Sequence, residues 1–257
     1  MKLNERKSVC AGSWYPAGRE ELSMTIDDLL CGKKFKGQHP KAVIVPHAGY
    51  QYSGKTAAAA FRQINPDTKK VIILGTSHHY YLRGGCVLIY NTLMTPLGGV
   101  KVSSETDNFI LEPDMSFIPE ADKWEHSIEI ELPFLQRILK DFEVVPVIVG
   151  EIDSKNFSNT LDKYSGDDTL IVVSVDLSHF HTQREANKLD AFTIDTILGL
   201  KTEDVKNCEI DSPYAIAALL DLAKKRSWNP ELVDYRTSAD VTGDTIRVVG
   251  YSAVVFK

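Results

Sequence analysis

Short, unbroken runs of aliphatic and β-branched residues, each cut off by Pro, Gly or a polar turn, recur along the chain. Ala42–Val45 (AVIV), Val71–Leu74 (VIIL), Val144–Val149 (VVPVIV) and Leu170–Val175 (LIVVSV) are four of them. Runs of this length without alternation predict strands buried on both faces, as in a largely parallel sheet. Between them apolar residues fall at helical spacing: Leu22, Ile26, Leu29 and Leu30 within Glu20–Leu30, then Thr56–Ile64, then Ala186–Leu200. Ser212-Pro213 opens a further helix that runs to about Lys225. Trp124–Lys140 sets Ile128, Leu132, Leu135 and Leu139 on one helical face, with Pro133 imposing a kink or a restart. Cys86–Tyr90 reads as a short strand, Met94–Val102 as a hairpin or crossing loop, and Glu231–Thr237 with Ile246–Phe256 as a late strand pair. A polar connection, Cys31–Pro40, precedes the first central strand. The alternation predicts one α/β domain over residues 1–257, a central mixed, largely parallel sheet flanked by helices.

Composition narrows the function classes. A formal charge of −6 argues against nonspecific nucleic-acid binding, which needs a basic face. No apolar run approaches the roughly 20 residues of a membrane span, and the N-terminal stretch lacks the apolar core of a signal peptide. The four cysteines, Cys10, Cys31, Cys86 and Cys208, are widely spaced without a CxxC pair, so a reducing cytoplasm is the expected setting.

The chemistry gathers where the apolar runs end. His47 follows Ala42–Val45 by two residues, and His78 and His179 each follow their runs by four. Ligand sites of open α/β sheets lie at such strand ends, and neutral imidazole is the commonest protein ligand for Zn, Fe and Cu. A metal site or a histidine acid–base site is the leading reading; histidines that merely cap strands are the bland one. Asp176, three residues before His179, is placed to orient that imidazole, or else to cap a following helix. Glu125, His126 and Glu129 form a second polar patch, on the Trp124–Lys140 segment, that a solvated helix face also explains.

A rival motif overlaps the first of these strands. Gly49–Thr56 (GYQYSGKT) satisfies the phosphate-loop pattern between a strand and a helix. Tyr50 and Tyr52 are bulky where small residues let backbone N–H groups wrap phosphate, and Pro46-His47-Ala48 displaces the loop from its strand. No dinucleotide fingerprint occurs.

Taken together, Ala11–Pro16 (AGSWYP), Pro46–Gly54 (PHAGYQYSG), Leu74–His79 (LGTSHH), Thr95–Gly98 (TPLG), Glu125–Gln136 (EHSIEIELPFLQ), Ser174–His179 (SVDLSH) and Tyr235–Asp244 (YRTSADVTGD) resemble the Memo family, including microbial members of the AmmeMemoRadiSam gene set. The resemblance implies a fold similar to class III extradiol dioxygenases, with nonhaem iron, two His ligands, a carboxylate and a catalytic His. It makes His47 and His78 metal ligands and His179 the acid–base residue. The cysteine ligand of animal members aligns on Val241, so Asp240 is its expected substitute. The candidate metal set is then His47, His78 and Asp240, and the candidate catalytic set is His179, Asp176 and His126. The implied cofactor is a divalent metal, iron first, with copper or zinc as alternatives. The implied function is a metal-dependent oxidoreductase acting on an unidentified small molecule or peptide, with other AmmeMemoRadiSam components as partners. The alternatives are a binding or signalling scaffold that kept the fold, as the phosphopeptide contacts of animal members suggest, and a metal-dependent hydrolase.

Overall fold

The computed structural model describes residues 2–257 except Lys33, Lys34 and Lys36, which belong to the polar connection expected over Cys31–Pro40. In chain order the strands are β1 (Leu3–Arg6), β2 (Ala42–Val45), β3 (Lys70–Thr76), β4 (Gly85–Val87), β5 (Tyr90–Thr95) and β6 (Gly98–Val102). Then come β7 (Met115–Ser116), β8 (Glu143–Val149), β9 (Thr169–Ser174), β10 (His179–His181), β11 (Pro230–Thr237) and β12 (Val248–Phe256). The helices are α1 (Arg19–Leu30), α2 (Tyr50–Phe61), α3 (Thr106–Phe109), α4 (Pro119–Asp122) and α5 (Leu132–Ile138). They continue with α6 (Ser154–Tyr164), α7 (Gln183–Leu198), α8 (Pro213–Arg226) and α9 (Ala239–Thr242).

All twelve strands join one sheet, whose main path runs β1-β5-β6-β8-β3-β9-β2-β12-β10. Its centre, β8-β3-β9-β2, is parallel throughout, and β12 closes on β2 antiparallel. The expected mixed, largely parallel sheet is therefore present. Alternation of side chains along each strand divides the core in two. Val43, Val45, Val71 and Ile73 face one layer with Ala57, Phe61 and Phe134, while Ile44, Ile72 and Leu74 face the other with Phe157, Ile216 and Leu219. Both faces are covered, which is why these strands read as continuous apolar runs.

Two local readings change. The helix expected over Trp124–Lys140 begins only at Glu129, as a 3-10 turn that continues into α5 with Pro133 in its first turn. Before it, the Glu125 carboxylate accepts hydrogen bonds from the backbone N–H groups of His126 and Ser127, both at 2.8 Å, and holds the chain in a turn. The phosphate-loop pattern lies mostly inside α2, which starts at Tyr50. Its N–H groups serve the helix instead of a loop, so that motif has no phosphate cradle.

Candidate metal centre

Register brings the histidines together. Val45 of β2 pairs with Ser174 of β9, and Leu74 of β3 pairs with Val173, so three strands end at one level. The chain leaving β2 carries His47 and the chain leaving β3 carries His78. Gly75 lets the Ser127 turn press against β3: a Cβ there would meet Ser127 Oγ at 2.5 Å. That close approach delivers His126. The side-chain donors of His47, His78 and His126 all lie within 4.8 Å of one another. Nitrogens sharing one ion at ~2.1 Å sit about 3.0–3.4 Å apart, so modest side-chain movement closes the set on a metal. The rings of His78 and His126 stack with centroids 4.4 Å apart, and His47 stands edge-on to both.

A carboxylate spans the cluster. Asp211 Oδ2 lies 2.9 Å from His47 Nε2 and 3.5 Å from His78 Nε2. Its other oxygen accepts from Thr76 Oγ1 at 3.2 Å. The far ring nitrogens are also anchored. His47 Nδ1 is 3.0 Å from Ser174 Oγ, and His78 Nδ1 is 3.0 Å from Glu125 Oε1. With Nδ1 occupied in this way, Nε2 of both rings turns toward the shared space, the outer-shell arrangement that fixes a metal ligand's tautomer. Trp14, from the Ala11–Pro16 segment, covers His126 with ring centroids 4.1 Å apart.

His47 and His126 are buried while His78 reaches the surface, and charge coupling among them is strong. Burial alone would lower the His47 pKa, but Asp211 and Asp176 reverse it and raise it to about 10. His78 follows the same logic with Asp211 and Glu125, reaching about 9. Burial raises the pKa of Glu125 and of Asp211, yet His78 holds the first and His47 the second well below the usual carboxylate range. His126 is driven the other way, to about 3, by burial and by the charge on His47. The metal-free centre thus pairs two imidazolium rings with two carboxylates and keeps a third imidazole neutral. Behind it, buried Glu131 accepts from Ser174 Oγ at 2.8 Å and is raised to about 8 by desolvation.

The sequence-based candidates separate here. His47, His78 and His126 converge, so His126 stands among the possible metal ligands as well as among the catalytic candidates. Asp176 accepts from the His47 backbone N–H at 2.9 Å and caps no helix among the described residues. His179 opens β10, with its backbone N–H on Glu209 at 3.2 Å. Asp240 is not one of the grouped residues; it is exposed in α9, and its carboxylate accepts the Thr237 N–H at 2.8 Å. Asp211, Glu131 and Trp14 had no individual part in the sequence reading. Asp211 immediately precedes the Ser212-Pro213 helix start, where an acidic residue reads as ordinary capping, and only the fold shows it turned onto two histidines.

Comparison with known proteins places the chain among its relatives. A family model described as Memo-like protein matches residues 6–255. The chain is 34% identical over 268 residues to a MEMO1 family protein of Aquifex aeolicus, covering 99% of this chain and 100% of that one. To a MEMO1 family protein of Methanobrevibacter smithii it is 35% identical over 284 residues, covering 98% and 99%. Its fold is similar to the crystal structure of the uncharacterized protein JW3007 from Escherichia coli K12, with a TM-score of 0.56 at 11% identity, over 85% of this chain and 100% of that chain.

Proposed function

The chain belongs to the Memo family, and we propose that within it this protein is a metal-dependent, dioxygenase-like oxidoreductase acting on a small organic molecule. The observation that carries the reading is the convergence of His47, His78 and His126, with the Asp211 carboxylate spanning two of them. Mixed imidazole and carboxylate donors suit iron, copper and zinc. In this reading the three imidazoles and Asp211 hold the ion. Bound there, it supplies Lewis acidity and, as iron, electron transfer with dioxygen.

The chain's own groups do the rest. Glu125 and Ser174 orient the two raised imidazoles, and Trp14 shields His126 from water. Asp176 sits beside both His47 and His179, so His179 is the group assigned to move a proton at the substrate. A cavity of about 470 Å³ opens onto His78 and Asp211 and is walled by Tyr80, Tyr81 and Tyr214, which suits an aromatic or otherwise flat substrate.

Oxygen uptake by Fe(II)-loaded, Zn(II)-loaded and metal-free protein across a panel of phenols tests the proposal. Uptake confined to the iron form and dependent on one phenol class is expected. Absence of uptake by the iron form, or hydrolytic activity of the zinc form alone, would overturn it.

A further inference from the structure

A second cavity, about 800 Å³, lies between α1 and α2 and is lined at one end by the Gly12–Pro16 loop. Gln51 and Lys55 are one turn apart on α2, Arg62 caps its C-terminal end, and all three line the cavity. Arg236 enters from β11. The two guanidinium groups are held in place. Arg62 donates to the carbonyls of Leu29 and Cys31 at 3.3 and 3.2 Å, which fix the guanidinium but carry no charge. Arg236 pairs with Asp234 at 2.8 Å, and Asp234 also accepts from Thr56 Oγ1 at 2.8 Å. That links Arg236 to the residue next to Lys55. The Lys55 side chain makes no hydrogen bond or ion pair among the described residues. Asp28 is the one carboxylate in the lining, so Lys55 and Arg62, beside an Arg236 already paired with Asp234, face a single acid in a protein whose net charge is −6. Trp14 and Leu29 add apolar wall.

We propose that this cavity binds a small organic oxyanion, its charged group on Lys55 and Arg236 and its apolar body along Trp14 and Leu29. A cationic end and an aromatic wall together select for a molecule bearing both features, and a fixed guanidinium loses little freedom on binding. Trp14 is also the ring that lies, tilted, 4.1 Å from that of His126, so the occupant lies one aromatic ring from the imidazole cluster. The proposal does not depend on the metal reading, because its ligand binds the metal-free chain.

Calorimetric titration of the metal-free full-length chain at low salt, with benzoate, benzyl alcohol and inorganic phosphate as probes, tests it. Benzoate is expected to bind at least tenfold more tightly than either other probe. Lys55→Ala should weaken benzoate at least fivefold, Lys55→Arg should retain it, and benzoate should quench the protein's tryptophan fluorescence in the parent but not in Trp14→Phe, where Trp124 and Trp228 still emit. Equal binding of benzoate and benzyl alcohol would overturn the proposal, as would phosphate binding as tightly as benzoate. So would benzoate affinity that survives both Lys55→Ala and Arg236→Ala, or that is lost only in His47→Ala, which would place the probe among the histidines.

Discussion

Replacing Glu125 by glutamine removes one charge and one acceptor while keeping the side chain's shape. Both carboxylate oxygens are committed: Oε1 accepts from the N–H groups of His126 and Ser127 at 2.8 Å, and Oε2 accepts from the His78 N–H at 2.8 Å. Both also lie within 3.1 Å of His78 Nδ1. Whichever oxygen the amide NH₂ replaces, at least one backbone donor loses its partner in a buried turn, a cost of about 1–3 kcal/mol. At about 2 °C per kcal/mol for a chain of this size, the metal-free variant should melt roughly 2–6 °C below the parent. The larger effect is expected on metal. His78 loses the partner that turns its Nε2 inward, and losses of outer-shell partners cost about 10–100-fold in affinity. Competition against a chelator at fixed pH, alongside thermal melts of the metal-free proteins, reads both quantities. A variant that melts lower yet binds metal within twofold of the parent would show that Glu125 shapes the turn only and that His78 does not present Nε2 to an ion.

Metal affinity should rise steeply with pH: His47 and His78, at about 10 and about 9, are protonated in the metal-free chain at neutral pH, whereas His126, at about 3, is not. Binding therefore expels two protons, so affinity grows by about a hundredfold per pH unit below 9; titrations showing no change between about pH 6 and 8 would contradict this. Asp211→Asn should weaken metal at least tenfold and Asp240→Ala should leave it unchanged, as chelator competition would show; the reverse ranking would restore Asp240 as the carboxylate ligand. Glu129 accepts from Arg6, Ser8, Val9, Cys10 and Tyr15 at 2.6–2.9 Å and so pins the segment that carries Trp14. Glu129→Gln breaks a buried pair worth about 3–5 kcal/mol, and differential scanning calorimetry should show a melting point about 6–10 °C lower; a shift under ~2 °C would refute that role.

The central strands were legible because their burial on both faces is written as unbroken apolar runs. His47 and His78 were legible for a related reason, as polar residues set immediately beyond those runs. The helix start at Glu129 was not, because a side chain, Glu125, occupies backbone donors that helical periodicity would assign to a helix. Asp240 was favoured by its place beside the aligned cysteine position, but a short helix turns its carboxylate to its own backbone. Asp211 was hidden by its position at a helix start, since what turns it onto the histidines is tertiary placement 135 residues away from its Thr76 partner. Lys55 stood out for the wrong motif: its loop is a helix, and the helix presents it to a cavity.

Metal stoichiometry is the most direct measurement of the central claim. Untagged protein, prepared without chelator and loaded anaerobically with Fe(II), should hold one tightly bound ion per chain by elemental analysis after desalting. His47→Ala, His78→Ala and His126→Ala should each stay folded and lose most of it. No retained ion in the parent, or full retention in any one of the three variants, would contradict a single centre built from all three histidines.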